Sequence, residues 1–226
     1  VLFRSSGGEP TLHPQFFEVM REARARPIRH LMVNTNGLRI AQDAAFAEQL
    51  ASLGPGFEVY LQFDSLQRAP LLDLRGADLR RVHEQALERL NALDISTTLV
   101  MTVKRGVNDG EIGEVIRFAA SQPCVRGVTL QPVQDAGRVE GYDAAQHRLT
   151  VSEVRRRIVE QSGVFSAEDV VPVPCNPDAL AMAYALRGDQ GLVPLTRHLD
   201  PRTLVEGAGN TIVFRSEEHT SELQSH

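Results

Sequence analysis

Apolar positions along this chain follow two spacings in turn. Short apolar runs rich in β-branched residues predict strands at residues 30–35, 57–64, 96–103 and 127–131. Segments in which apolar residues recur at helical spacing predict helices at 15–26, 41–53, 78–93 and 110–120. This alternation is typical of strands joined by helices in a parallel sheet. Because such connections are right-handed, the sequence predicts an α/β fold, either an open sheet or a barrel.

The pattern changes after Pro132. A polar loop is expected at residues 134–148, and the apolar spacing predicts a helix at 150–160. A further helix is expected at 178–186. Between these two helices, residues 170–177 are rich in proline, which is not compatible with a central strand.

The two ends of the chain are expected to be foreign to the native protein. Residues 1–5 and 214–226 resemble the translation of a sequencing adapter, and such segments do not belong in fold reasoning. The remainder divides into an α/β core at 6–133 and an extension at 134–213. We expect this stretch to be an internal piece of a longer protein.

Polar residues follow each predicted strand at the point where the strand ends. In parallel α/β folds the carboxyl ends of the strands share one edge, and ligands gather there. The residues that the sequence places at this edge are Asn34, Asn36, Gln62, Asp64, Ser65, Thr102, Asn108 and Gln131. A polar strand end such as Asp64-Ser65 costs stability unless a ligand or a helix cap satisfies it.

A glycine-rich loop near the start of the chain, Gly7-Gly8-Glu9-Pro10, leads to the same edge. Two adjacent glycines let a ligand approach the main chain closely, and Pro10 removes one backbone donor. A predicted helix follows, and the N–H groups at its start suit a polar ligand. We expect His13 to contact the start of this helix rather than to act as a ligand or base.

The loop and the strand ends together resemble the radical SAM superfamily. Gly7-Gly8-Glu9-Pro10 is similar to the motif that binds the amino group of S-adenosylmethionine (SAM), and Asn34-Thr35-Asn36-Gly37 is similar to the third-strand motif. The resemblance implies a partial (β/α) barrel whose first strands are missing, with a C-terminal helical and loop extension. It also implies that SAM contacts the loop residues Gly7, Gly8, Glu9 and Pro10 and the strand-end residues named above.

The same resemblance implies redox chemistry that cofactors supply. Enzymes of this family hold a 4Fe–4S cluster on three cysteine thiolates, and reductive cleavage of SAM there yields a 5′-deoxyadenosyl radical. The expected partners are a small-molecule or lipid substrate and an electron donor such as ferredoxin or flavodoxin.

The cysteine content departs from the family pattern. The chain holds two cysteines, Cys124 and Cys175, whereas the family's C-x-x-x-C-x-x-C triad lies upstream of the Gly-Gly loop and cluster ligation needs thiolates. We therefore expect the parent protein to be a radical SAM enzyme and this piece to be inactive by itself. Cys175 is either a ligand of an auxiliary iron–sulfur cluster or a small buried residue, and Cys124 is expected to be structural.

The second half of the chain resembles one subgroup, the tetraether lipid synthases and pterin methyltransferase-like enzymes. The resemblance lies in residues 126–132, 137–138, 148–154, 160–161 and 172–175. Members of this subgroup join or alkylate unactivated carbons. The expected reaction is therefore C–C bond formation or alkylation.

Composition argues against several other classes of function. The formal net charge of −5 gives no basic face for nucleic acid. No apolar run approaches the roughly 20 residues that span a membrane, and two cysteines are too few for a disulfide scaffold. A cytoplasmic protein is expected, with His83 and His147 at its surface.

Two other functions stay open at this level. A cluster-free α/β-barrel lyase or aldolase would use Asp64 or Lys104 for acid–base or Schiff-base chemistry. A non-catalytic ligand-binding barrel is the other, because this chain lacks the cysteine triad.

Overall fold

The structure is a computed structural model that describes residues 2–5, 7–134, 142–173, 176, 178–189 and 191–208. It consists of two compact units, Val1–Leu149 and Thr150–His226. Residues 137–138 and Cys175, which the sequence analysis singles out, lie outside the described residues. Among the helices that are described, none is long and apolar enough to cross a membrane.

Five strands form the sheet of the first unit: β1 (Leu2–Ser5), β2 (His30–Thr35), β3 (Phe57–Gln62), β4 (Thr97–Val103) and β5 (Val125–Pro132). They lie side by side in chain order, and each neighbouring pair is parallel. The predicted α/β class with a parallel sheet is therefore confirmed. Over the described residues the sheet is open, with β1 and β5 at its edges.

Strand β1 occupies residues that the sequence analysis assigns to an adapter. Phe3 lies opposite Leu31 in β2, and Ser5 lies opposite Val33. A strand ladder uses backbone groups that almost every residue carries, so this pairing does not test where residues 1–5 come from. Their origin, like the domain boundaries, stays a prediction.

Helices connect the strands of this unit: α1 (Phe16–Arg24), α2 (Leu38–Gln42), α3 (Ala44–Ala51), α4 (Arg68–Arg75), α5 (Arg80–Ala92) and α6 (Ile112–Ser121). A short helix, α7 (Ala144–His147), follows β5. The single helix expected at 41–53 is instead α2 and α3. The chain breaks at Asp43, whose side chain caps α3 by accepting a hydrogen bond from the N–H of Phe46 at 3.0 Å. Helix α4 was not expected, and it tolerates Pro70 because that residue lies in its first turn.

The sheet has an apolar face and a polar one. Successive residues of a strand point to opposite faces. At one set of alternate positions, Val33, Leu61 and Leu99 are completely buried and belong to the core. At the intervening positions toward the carboxyl ends, Asn34 and Gln62 are polar and only half-buried. Parallel sheets usually bury both faces, so the second face has the character of a ligand-binding surface.

The second unit begins with α8 (Val151–Ser162), as the sequence predicts. Thr150 and Glu153 cap this helix reciprocally. Strand β6 (Val171–Pro172) pairs antiparallel with β7 (Ala181–Met182), and β8 (Ala185–Gly188) pairs antiparallel with β9 (Gly191–Pro194). A further helix, α9 (Pro201–Ala208), follows.

The helix expected at 178–186 is wrong, because this stretch contains β7 and the start of β8. Its large residues Leu180, Met182, Tyr184 and Leu186 stand at every second position, which is the period of a strand. The alanines between them favour a helix by propensity. Pairing with β6 and β9 outweighs that preference.

The expectation that His83 lies at the surface is also wrong. Its side chain is 2% exposed, and its ring lies 5.0 Å from that of Phe63, centroid to centroid. Residues Ala86, Leu87 and Leu90 share the buried side of α5 with it. Burial lowers the pKa of His83 to about 4, and the Asp64 carboxylate opposes this effect only in part.

We expect His83 to make the folded state less stable in acid. The unfolded histidine titrates near pH 6.5 and the folded one at about 4, so its stabilisation is complete above about pH 6.5 and is lost as the pH falls toward 4. Urea unfolding across this range measures the loss, which we expect to be about 3 kcal/mol. His83→Phe should remove this dependence, whereas His198→Phe, at an exposed position, should preserve it. Parallel profiles for the wild type and His83→Phe would contradict the expectation.

Candidate functional site

The Gly-Gly loop runs from β1 to a short 3₁₀ helix at Pro10–Leu12. Gly7 has a φ of +106° and Gly8 a φ of +55°, which side chains rarely allow. Both glycines are exposed, and no atom lies within 4 Å of where a Cβ would stand on either. The backbone of this loop is therefore accessible to a ligand.

The carboxylate of Glu9 attaches this loop to the end of β2. Its Oε1 accepts hydrogen bonds from the hydroxyls of Thr11 at 2.6 Å and Thr35 at 2.7 Å. Its Oε2 accepts one from the N–H of Asn36 at 2.8 Å. Both oxygens are thus occupied by protein donors, and Glu9 fixes the position of Gly7 and Gly8 relative to β2.

Two amide side chains stand at the end of β2. The Oδ1 of Asn36 accepts a hydrogen bond from the N–H of Leu38 at 3.0 Å and so shapes the turn into α2. The Oδ1 of Asn34 is buried and has no hydrogen-bond partner among the described residues. A buried acceptor without a donor is costly, so Asn34 suits a ligand that brings N–H groups.

The end of β3 is built around Asp64, which is completely buried. Its Oδ2 accepts from the Nε of Arg75 at 2.5 Å, and its Oδ1 accepts from the N–H of Thr102 at 2.8 Å. Arg75 also donates to the hydroxyl of Thr102 at 3.3 Å. The sequence predicts that a ligand or a helix cap satisfies Asp64. In the structure, its hydrogen bonds come instead from Arg75 in α4 and Thr102 in β4.

Side chains from the loop after β4 hold the loop after β3. The Nδ2 of Asn108 donates to the carbonyl oxygens of Asp64 at 2.9 Å and Thr102 at 2.8 Å. Glu111 accepts from the hydroxyl of Ser65 at 2.5 Å and from the N–H of Leu66 at 3.2 Å. Burial raises the pKa of Glu111, and these hydrogen bonds act against that shift. The two loops therefore form one hydrogen-bonded network.

Two residues of this network are not predicted from the sequence. Arg75 lies in a helix that the pattern does not predict, and Glu111 follows Asn108 without a distinguishing spacing. The remaining predicted residues lie along the same edge: Gln62 and Thr102 are half-buried, Gln131 is exposed at the end of β5, and Pro10 is half-buried. Whether each of them touches the cofactor stays a prediction.

His13, Lys104 and Cys124 have clear structural roles. The Nδ1 of His13 accepts a hydrogen bond from the N–H of Gln15 at 3.1 Å, at the start of α1. The Nζ of Lys104 forms an ion pair with Asp73 at 2.7 Å, so the amine already has a partner within the fold. Cys124 is completely buried, and burial raises the pKa of its thiol.

The residues present fit SAM but not its iron–sulfur cluster. Accessible backbone at Gly7 and Gly8 and the unpartnered Oδ1 of Asn34 match a ligand with an ammonium group. A cluster requires exposed thiolates, and Cys124 is the single cysteine of the described residues. Within those residues no group of three or more His, Cys, Asp and Glu side chains is arranged to hold a metal ion.

The buried ion pair at the end of β3 can be tested by removing Arg75. We expect Arg75→Leu to lower the free energy of unfolding by about 3 kcal/mol, because it leaves the buried carboxylate of Asp64 without its cation. Urea unfolding measures this change. Arg80→Leu is the matched control, since Arg80 pairs with Asp78 in an exposed setting and its loss should change little. Equal effects of the two substitutions would show that the Asp64 pair is not a structural constraint.

Comparison with known proteins gives matches to one family. The sequence profile described as the Radical SAM superfamily matches residues 1–119. The 7,8-dihydro-6-hydroxymethylpterin dimethyltransferase of Methanocaldococcus jannaschii is 34% identical over 188 residues, which are 82% of this chain and 37% of that protein. The GTP 3′,8-cyclase of Chlorobaculum tepidum is 30% identical over 154 residues, which are 65% of this chain and 46% of that protein. The chain thus spans less than half the length of these relatives.

A comparison of structures gives a similarity to anSMEcpe solved with bound AdoMet and a Kp18Cys peptide. The similarity covers 71% of this chain and 44% of that one, with a TM-score of 0.48 and 18% sequence identity.

Proposed function

The chain belongs to the radical SAM superfamily, whose enzymes use SAM and a 4Fe–4S cluster, and we propose that it forms the SAM-binding part of such an enzyme. When bound and reduced, SAM and the cluster together supply a 5′-deoxyadenosyl radical that abstracts hydrogen from the substrate. The contribution of this chain is to bind and orient SAM.

The observation that carries this proposal is the attachment of the Gly-Gly loop to β2 by Glu9. Because both oxygens of Glu9 are held by Thr11, Thr35 and Asn36, the loop backbone is fixed beside the end of the strand. Its peptide groups and the unpartnered Oδ1 of Asn34 would hold the ammonium group of SAM. Gln62 at the end of β3 and Thr102, which is bonded to Asp64 and Arg75, would face the remainder of the molecule.

The cluster would be held by cysteines that precede this sequence in the parent protein. The chain has two cysteines, so by itself it lacks the thiolates for the catalytic cluster, and we propose that it is inactive alone. An electron donor such as ferredoxin or flavodoxin would reduce the parent enzyme. Cys175 is retained as a proposed ligand of an auxiliary cluster.

For the substrate, we propose a fused nitrogen heterocycle that is alkylated at an unactivated carbon. The names of the relatives describe one protein acting on a pterin and others acting on GTP, and both compounds contain such a ring system. On the polar face of the sheet, Tyr60 has its pKa raised mainly by burial and further by Glu58. Its phenol therefore stays protonated at neutral pH and can donate a hydrogen bond to a ring nitrogen or carbonyl.

Anaerobic reconstitution with iron and sulfide tests the role of the chain. The chain alone should form no stoichiometric 4Fe–4S cluster by electron paramagnetic resonance. The same chain extended upstream along its gene should form one and release 5′-deoxyadenosine from SAM under reduction. A stoichiometric cluster on the chain alone, or an upstream segment without the cysteine triad, would refute the proposal. With a 6-hydroxymethylpterin, a GTP or a lipid substrate, product analysis identifies the substrate class.

Glu9→Gln tests the attachment of the loop. The substitution replaces one acceptor oxygen by a donor, so the loop should lose a hydrogen bond and SAM affinity in the reconstituted extended enzyme should fall roughly tenfold. Glu22→Gln, in an exposed pair on α1, is the control and should leave affinity unchanged. In the chain alone, faster hydrogen exchange at the N–H of Asn36 should accompany Glu9→Gln. If exchange becomes faster but SAM affinity is unchanged, the position of the loop does not determine cofactor binding, and this part of the proposal is wrong.

A further inference from the structure

The 3₁₀ helix that follows the Gly-Gly loop has little apolar contact with the rest of the fold. Of the three residues Pro10–Leu12, only Thr11 is buried, and Leu12 is 73% exposed. Because apolar burial is the main force that holds an element in place, polar contacts must fix this segment. Glu9 supplies one set, by accepting from the N–H and the hydroxyl of Thr11. The carbonyl oxygen of Thr11 accepts from a second residue, Arg39.

Two contacts orient the guanidinium of Arg39. Its Nη1 donates to the carbonyl oxygen of Thr11, and its central carbon lies 4.2 Å from the centroid of the Phe46 ring. Phe46 is 1% exposed, and its ring lies 5.7 Å from that of Phe16 and 5.1 Å from that of Phe17. A planar guanidinium can stack on a ring and donate in its own plane at the same time, whereas an ammonium group has no plane to stack. The residue type therefore matches both contacts.

The helix that carries Arg39 is fixed to the core. Gly37 precedes α2 with a φ of +78°, and a Cβ at this position would lie 2.6 Å from the Cδ1 of Leu61, a completely buried residue. Ile40 in the same helix is also completely buried. Because a close-packed core resists displacement of its parts, α2 has a defined position. Arg39 therefore ties the carbonyl of Thr11 to a helix that the core holds in place.

We propose that Arg39 is a positioning residue for the loop that binds SAM. Glu9 holds the N–H and the hydroxyl of Thr11, and Arg39 holds its carbonyl oxygen, so the backbone that leaves the Gly-Gly loop is held on both sides. Loss of the contact from Arg39 would let Gly7 and Gly8 move relative to β2. Arg39 acts through Thr11 and does not have to touch the cofactor. The inference rests on the proposed function, from which the loop takes its role in SAM binding.

Hydrogen exchange in the 226-residue chain tests whether Arg39 holds the loop. Arg39→Met keeps an unbranched side chain and removes the donor. We expect the N–H groups of Leu12 and His13, which close the 3₁₀ turn at 3.1 Å, to exchange about tenfold faster, while the amides of β2 keep their rates. Arg21→Met, at an exposed position on α1, is the matched control and should change neither. Unchanged exchange at Leu12 and His13 would overturn the proposal, and so would equal acceleration in β2, because Arg39 would then stabilise the whole unit.

SAM binding by the reconstituted extended enzyme tests the consequence for the cofactor. Arg39→Met should weaken SAM affinity about tenfold and leave the rate of 5′-deoxyadenosine release at saturating SAM unchanged. Arg39→Lys keeps a donor but not the planar group, so its affinity should be intermediate, and it serves as the second variant should Arg39→Met fail to fold. Unchanged affinity in both variants, or a lower saturated rate with unchanged affinity, would overturn the proposal. If the wild-type extended enzyme binds no SAM, the proposed function is wrong, and exchange in the chain alone still decides whether Arg39 holds the loop.

Discussion

The fully buried carboxylate of Asp64 can be accommodated only where donors surround it, because an unpaired charge inside a protein is prohibitively costly. Arg75 in α4 and the N–H of Thr102 in β4 supply these donors. The end of β3, helix α4 and the end of β4 must therefore be in place together. Asp64 also has a φ of +57°, a conformation that a non-glycine residue keeps only when its surroundings impose it. These contacts fix the positions of the residues at the polar edge of the sheet.

Glu9 and Asp64 have a similar role at two corners of the edge. Both oxygens of each carboxylate accept hydrogen bonds from the protein. Glu9 accepts from hydroxyls and a backbone N–H, and Asp64 accepts from Arg75 and a backbone N–H. Acidic side chains in these motifs thus shape the backbone, and the groups left for a ligand are peptide units and uncharged side chains such as Asn34. This division suits a zwitterionic ligand, since a free carboxylate would repel the carboxylate of SAM.

The sequence predicts the sheet and its polar edge well, because short apolar, β-branched runs and the polar residues that end them are local signals. It does not predict the partners across that edge. Asp64 and Arg75 are 11 positions apart, and Ser65 and Glu111 are 46 apart, and such pairs form only once helices pack. His83 lies at a buried helix position, although a polar side chain such as histidine favours the prediction of a surface position. The residues 178–186 show the opposite error, in which alanine propensity conceals a strand period.

The order of the strands has a consequence for how the first unit assembles. Each strand from β1 to β5 lies next to the one that precedes it in the chain. No strand has to wait for a distant segment to pair, so each new strand and helix can add to an edge that already exists. Only one crossover segment separates each strand from its partner, which is the shortest connection that a parallel pair allows, and synthesis from the amino terminus presents the strands in this same order. During synthesis, the edge strand that has already formed can therefore pair with the next strand as it leaves the ribosome.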